Sequence, residues 1–294
     1  MLGTMNSSAK EVLSYREAIE RGFDAVKRHQ LLTNNVICEV QATLVKNRAG
    51  FRSNPGTTLK KGDGTIVYVP SQNKESILKY MRNLEAFVND EGLSELDPLA
   101  KMAVIHHQFE SIHPFYDGNG RTGQILNVLH LVNSGLLDLP ILYLSRYMTR
   151  NKIRYYQLIQ AIRDCKSGGA REWEEWILFM LKGVEETAAE TIGLVLEISS
   201  LMQNFEEKLR CVFGNKYRQG LLDNLFFYPY TKIEYMEREL MVRRKTASKY
   251  LEMIVASGLL RKEKIGNANY YINEALVALL INRQAGSLVA AKPR

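Results

Sequence analysis

The stretch from Ala103 to Leu131, AVIHHQFESIHPFYDGNGRTGQILNVLHL, most constrains how this 294-residue chain can fold. Ala103, His106 or His107, and Glu110 recur at helical spacing, and the period breaks at Ile112-His113-Pro114-Phe115. After Gly118-Asn119-Gly120 an apolar helical period resumes from Thr122 through Leu126, Leu129 and Val132. Such a pattern predicts a short loop held between two helices. Two glycines flanking an asparagine just before a helix cost backbone entropy, and they make sense where backbone amides must approach a ligand closely. Those amides and the positive end of the following helix form an anion site, with Arg121 placed to add a charge-assisted contact to phosphate oxygens. Asp117 would supply a hard oxygen ligand for Mg2+, which usually binds through one or two carboxylates plus substrate phosphates. His113 is one of five histidines, and its free pKa near neutrality suits it to take a proton from an attacking hydroxyl.

Taken singly, G-N-G is a turn in most proteins, Arg121 a solvated charge and His113 a core histidine. The combination within nine residues, directly ahead of a helix, is what points to phosphate chemistry. His113 to Arg121, H-P-F-x-D-G-N-G-R, resembles the signature of the Fic (Fido) family, H-x-F-x-(D/E)-G-N-G-R-x-x-R, and the lead-in His106 to Ile112 is similar as well. The resemblance implies an AMP transferase in which a protein hydroxyl attacks the alpha phosphate of ATP and pyrophosphate leaves. By it His113 is the general base, Asp117 the Mg2+ ligand, Gly118, Asn119 and Gly120 the phosphate cradle, and Arg121 a beta-phosphate contact. Phe115 is expected to bury its ring and hold the loop.

One position departs from the family pattern. A second arginine belongs three residues after the first, and Gln124 stands there. In the family that arginine contacts the gamma phosphate and pairs with an inhibitory glutamate; glutamine donates through its amide but lacks the guanidinium fork. The family's inhibitory pattern, S/T-x-x-x-E-G/N, is met by Ser7 to Glu11 only in its S-x-x-x-E part, since Val12 follows. The resemblance therefore places the family's own glutamate ahead of this stretch, or in a partner. Asn151, Tyr155 and Tyr156 match an N-x-x-x-Y-Y region near the nucleoside, where at most one adjacent tyrosine can wall the adenine. The nucleotide-contact candidates are thus Gly118, Asn119, Gly120, Arg121, Thr122, Gln124, Asn151 and Tyr155.

Along the chain, Glu11 to His29 and Asn34 to Val45 read as amphipathic helices behind a short polar tail, Met1 to Ala9. Thr57 to Leu59 and Thr65 to Tyr68 enclose Gly62-Asp63-Gly64 as a beta-hairpin. It reads as a packed excursion or, by the resemblance, as the flap whose Ile66, Val67 and Tyr68 pair with the target segment. Helices follow at Lys74 to Val88, Leu99 to Glu110, Tyr147 to Cys165 and Glu185 to Phe213, with Trp173, Trp176, Phe179 and Met180 spaced as core. Beyond Gly214 the order is helix, tight turn, helix and two short strands, which resembles a winged helix of the kind appended to many bacterial Fic proteins.

The expected architecture is an all-α Fic fold with a small β-hairpin flap, followed by a winged helix-turn-helix domain. Its boundaries are 1–213 (motif 113–124), a linker at 214–224, the winged helix at 225–282 and a flexible tail at 283–294. From Leu225 onward 12 Lys/Arg face 6 Asp/Glu, so most of the net charge of +7 belongs to this second part. Arg243, Arg244, Lys245 and Lys249 are the candidate DNA or partner contacts, winged helices serving also as protein-contact and dimer modules. The three cysteines lie far apart and suit a reducing cytoplasm, and neither a membrane span nor a secretion signal is indicated. Expected partners are therefore ATP with Mg2+, a target protein presenting a hydroxyl, and DNA or a second copy of the chain. The rival reading is a DNA-binding regulator whose first domain senses nucleotide; others are a different nucleotide, or AMP removal.

Overall fold

The computed structural model describes residues 7–165 and 168–289, with side chains over 10–165 and 168–282. The chain divides into two compact units, Met1–Ala189 and Glu190–Arg294. In the first, Ser7–His29 (α1) and Asn34–Val45 (α2) are followed by the antiparallel pair Leu59–Lys60 (β1) and Ile66–Tyr68 (β2). Next come Lys74–Asn89 (α3), Pro98–Ile112 (α4), Asn119–Asn133 (α5), Ser145–Arg150 (α6), Lys152–Asp164 (α7) and Ala170–Phe213 (α8), whose residues from Glu190 on belong to the second unit.

Local chemistry sets the helix starts. The Thr33 side chain accepts the Val36 amide ahead of α2, and Asn73 accepts the Glu75 and Ser76 amides ahead of α3. Asp97 accepts the Leu99 amide beside Pro98, a residue preorganised for a first helical turn. Helices α4 and α5 bury nearly every face, the pattern of a central pair. Phe109, Ile112, Ile125, Leu126 and Leu129 join α1, α2 and α3 in one core. Met102, Ala103 and Leu131 join Leu158, Trp176 and Met180 in another. The hairpin forms where its glycines predict it, with Asp63 Oδ1 accepting the Thr65 amide at 2.9 Å.

Helix α8 begins well before the expected Glu185 and runs through Gly183. A Cβ at Gly183 would lie 2.6 Å from the Tyr147 ring, so the glycine admits a neighbour rather than ending the helix.

The second unit contains Gln219–Phe227 (α9), Tyr230–Thr231 (β3), Ile233–Leu240 (α10), Arg244–Ala256 (α11), Arg261–Ile265 (β4), Ala268–Ile272 (β5) and Glu274–Val289 (α12). Its antiparallel sheet has the order β3-β5-β4, beside a helix-turn-helix in which Met241 turns in the left-handed region. This is a winged-helix-like arrangement, as the sequence predicts. The expected linker is a correction: Leu221, Leu222 and Leu225 lie in the core with Phe205, Leu209, Met236, Leu251 and Tyr271. Glycines at 214 and 220 suggested a spacer, but the leucines that follow them supply an apolar helix face. The expected tail is helical through Val289, and 290–294 lie outside the described residues, as does the polar tail up to residue 6. Among the described residues no helix is long and apolar enough to cross a membrane.

Candidate active site

Helix α4 ends at Ile112, and His113 leaves it in the left-handed region at φ 49°, ψ 59°, its amide donating to Phe109 O at 2.9 Å. Phe115 then buries its ring completely, 5.2 Å from Phe51 and 6.3 Å from Phe109 between centroids. Asn119 pins the loop from inside: its Oδ1 accepts the Phe115 amide at 2.9 Å and its Nδ2 donates to Phe115 O at 2.8 Å. The asparagine side chain is therefore committed to the loop, leaving only its backbone amide for a ligand. Gly118 stands at φ 81°, and a Cβ there would lie 2.9 Å from Val45 Cγ1, so position 118 demands glycine for conformation and space alike.

Three features make this loop a fit for phosphate. No side chain caps α5, so its first amides are open to an anion. A Cβ on Gly120 would meet nothing within 4 Å. Thr122 Oγ1 is buried without a partner among the described residues. Asp117 Oδ1 accepts the Gly118 amide at 2.7 Å, while most of its side chain faces solvent. Among the described residues no group of three or more His, Cys, Asp or Glu could hold a metal. A single exposed carboxylate beside a phosphate site is nevertheless a donor set Mg2+ accepts, because phosphates and water complete its shell.

The expectation of a near-neutral His113 needs correction. Burial pushes its imidazole down to about 4, and the guanidinium charges of Arg52 and Arg163 push the same way. At neutral pH the ring is therefore uncharged and able to accept a proton, and its Nδ1 is buried without a partner among the described residues. Arg121 donates to Glu11 Oε1 at 2.8 Å and lies 3.8 Å from Asp117 Oδ2. The glutamate of the incomplete S-x-x-x-E pattern thus faces the motif's first arginine. Gln124, partly exposed, reaches the Met148 sulfur at 3.9 Å.

Other candidates are placed differently. Asn151 donates to Tyr147 O at 3.0 Å and joins α6 to α7, so its amide serves the local backbone. The Tyr155 hydroxyl lies 2.8 Å from His106 Nε2, with its ring near Trp176, which makes it mainly a core residue. Tyr156, one helical step around, is 58% exposed and is the ring that faces solvent. In the flap, Ile66 is exposed while Val67 and Tyr68 are half-buried. Arg243, Arg244, Lys245 and Lys249 are exposed at the start of α11, in the second unit; Arg244 lies 3.5 Å from the Glu237 carboxylate. Sequence reasoning missed Arg52 and Gln41, which contact the loop after α4, and Arg163, which contacts the last turn of α4, all from distant segments; Gln41 Nε2 donates to Asp117 O at 3.0 Å. No local pattern flags them.

A histidine at the end of one buried helix, a glycine-hinged loop and an uncapped helix start are brought together here. Residues 31–131 match the Fic/DOC family, and residues 201–276 match the C-terminal domain of SoFic-like protein adenylyltransferases. The chain thus carries a Fic/DOC-family domain followed by a C-terminal accessory domain. A protein adenylyltransferase of Caenorhabditis briggsae is 36% identical over 61 residues, covering 21% of this chain and 12% of that protein. A probable protein adenylyltransferase of Aquifex aeolicus is 34% identical over 101 residues, covering 34% of this chain and 25% of that protein. The matches therefore span a quarter or less of these relatives. A solved Fic domain containing signaling protein from Bacteroides thetaiotaomicron has 18% identity and a TM-score of 0.50, covering 64% of this chain and 74% of that one, a likeness of fold.

Proposed function

We propose that the first unit transfers AMP from ATP to a serine, threonine or tyrosine hydroxyl of a target protein. The observation that carries this reading is a buried, uncharged imidazole with a free Nδ1, six residues before a helix whose first amides no side chain caps. The target hydroxyl gives its proton to His113 as its oxygen bonds to the alpha phosphorus. The bond from that phosphorus to the bridging oxygen breaks, and pyrophosphate leaves with the electron pair. Amides at the start of α5 and the Arg121 guanidinium meet the negative charge of the departing phosphates, and Glu11 must release Arg121 first. Mg2+ held by Asp117 would neutralise further charge on the leaving group. The flap strand β2, with its free edge, is read as the surface on which the target segment lies.

The exposed cations of α11 support a second role for the accessory unit, choosing the partner or DNA on which the chain acts. The test is paired labelling with ATP carrying the radiolabel at the alpha or the gamma phosphate, in Mg2+ and lysate. The reading expects alpha label on a protein hydroxyl and no gamma label; gamma label on protein would indicate phosphate transfer instead.

A further inference from the structure

The last turn of α4 is satisfied from outside the helix to an unusual degree. An α-helix leaves its final four carbonyls without intrahelical donors. Here Phe109 O takes the His113 amide, Glu110 O takes Arg163 Nη2 at 3.0 Å, Ser111 O takes the Tyr68 hydroxyl at 3.0 Å, and Ile112 O takes Arg52 Nη2 at 3.3 Å. Arg52 also donates Nε to His113 O at 2.8 Å and its own amide to Pro114 O at 2.8 Å. Arg163 Nε reaches Ser111 Oγ at 3.0 Å, and its guanidinium lies 4.0 Å from the centre of the Tyr68 ring. Arg52 is fully buried, which is costly for a guanidinium unless it is held by several acceptors. Its loop is held in turn by the Tyr116 hydroxyl, which accepts the amides of Ser53 and Asn54 at 2.9 and 3.0 Å.

We infer that Arg52 and Arg163 are positioning residues: a two-guanidinium clamp on the carbonyls of residues 110, 112 and 113 that fixes the left-handed backbone of His113 and so aims its imidazole. A non-glycine residue in that region is strained and persists only where its surroundings hold it. Two cations at the negative end of α4 also complement the helix dipole. They bear on His113 electrostatically as well, since both charges disfavour the imidazolium beyond what burial does. The other groups around the clamp are Tyr68 and Tyr116 facing Arg52, and Tyr68, Glu110, Tyr155 and Asp164 facing Arg163. Tyr68 makes the clamp continuous with the flap, so the strand read as carrying the target is bonded to the turn carrying the base. The inference rests on the proposed nucleotidyl transfer for its catalytic meaning, whereas the clamp itself is a property of the folded chain.

The test is an NMR titration of the histidine rings in the full chain, with His113 assigned by its absence from His113→Asn, run beside the alpha-label assay. Wild-type His113 is expected to stay uncharged down to the lowest pH at which the chain remains folded. Folded Arg52→Gln should titrate higher, toward the roughly 6.5 of a free imidazole, and should lose turnover by about 10- to 100-fold with KM for ATP unchanged. Arg52→Lys should bring the titration back down while recovering only part of the turnover, because one ammonium cannot span two carbonyls. If Arg52→Gln fails to fold, Arg163→Gln decides by the same two readings. A folded variant in which His113 titrates and turns over as in wild type overturns the clamp. Wild type that transfers no nucleotide, while the variant still shifts the titration, overturns the proposed activity and leaves the clamp standing.

Discussion

Gln124 is the single residue at which this chain leaves the motif. Its side chain is partly exposed, and its amide donates to the Met148 sulfur at 3.9 Å. Gln124→Arg replaces a neutral donor by a charged fork, a gain of about 1.5–3 kcal/mol if it meets a phosphate, or roughly 10- to 100-fold in affinity. Calorimetry with a nonhydrolysable ATP analogue checks it; unchanged or weaker binding would mean that the gamma phosphate does not visit this position. The loop between two helices that carries His113, Asp117, Gly118 and Arg121 was legible in the sequence because its glycines and its breaks in helical period are local. The inward turn of Asn119 and Tyr155 was not, since a side chain's partner across the fold leaves no mark beside it.

At the scale of the element, α4 and α5 carry an unusual load of buried ionisable groups. His106, His107, His113 and His130 are each pushed down to about 4, burial being the first cause in every case. Between that value and about 6.5 the unfolded chain binds protons that the folded chain refuses, so the stability is present above 6.5 and lost as pH falls. Glu110 acts oppositely: burial raises it to about 7, so its contribution is present below the unfolded value and fades as pH rises through 7. Four groups against one leave a loss of about 4 kcal/mol per pH unit in that window, a large share of a typical domain's stability. Thermal melts should fall steeply from pH 6.5 to 4.5, and a flat melting temperature there would contradict the burial. Helix α2 was readable to its ends, from the Thr33 cap and the apolar stripe through Leu44. Helix α8 was not, because a glycine that admits Tyr147 looks in sequence like one that ends a helix.

At the scale of the molecule, the accessory unit was legible as helix, turn, helix and strands, whereas its first helix was mistaken for a linker. Leucines that directly follow a glycine-flanked polar stretch are ambiguous until a core is seen to use them. If Arg243, Arg244, Lys245 and Lys249 contact phosphates, duplex DNA binding by the full chain should weaken steeply between 50 and 200 mM salt. Each charge removed should then lower the log-log slope by about 1. Negligible binding, or a slope unchanged by the substitutions, would leave the unit as a protein-contact module.

The central claim is that His113 is the base of a nucleotidyl transfer. Its most direct test is the rate of alpha-label incorporation from ATP with Mg2+ by wild type and His113→Ala, both verified as folded. The account predicts a loss of roughly 10^2- to 10^4-fold in the variant. Equal incorporation by the two proteins would contradict it.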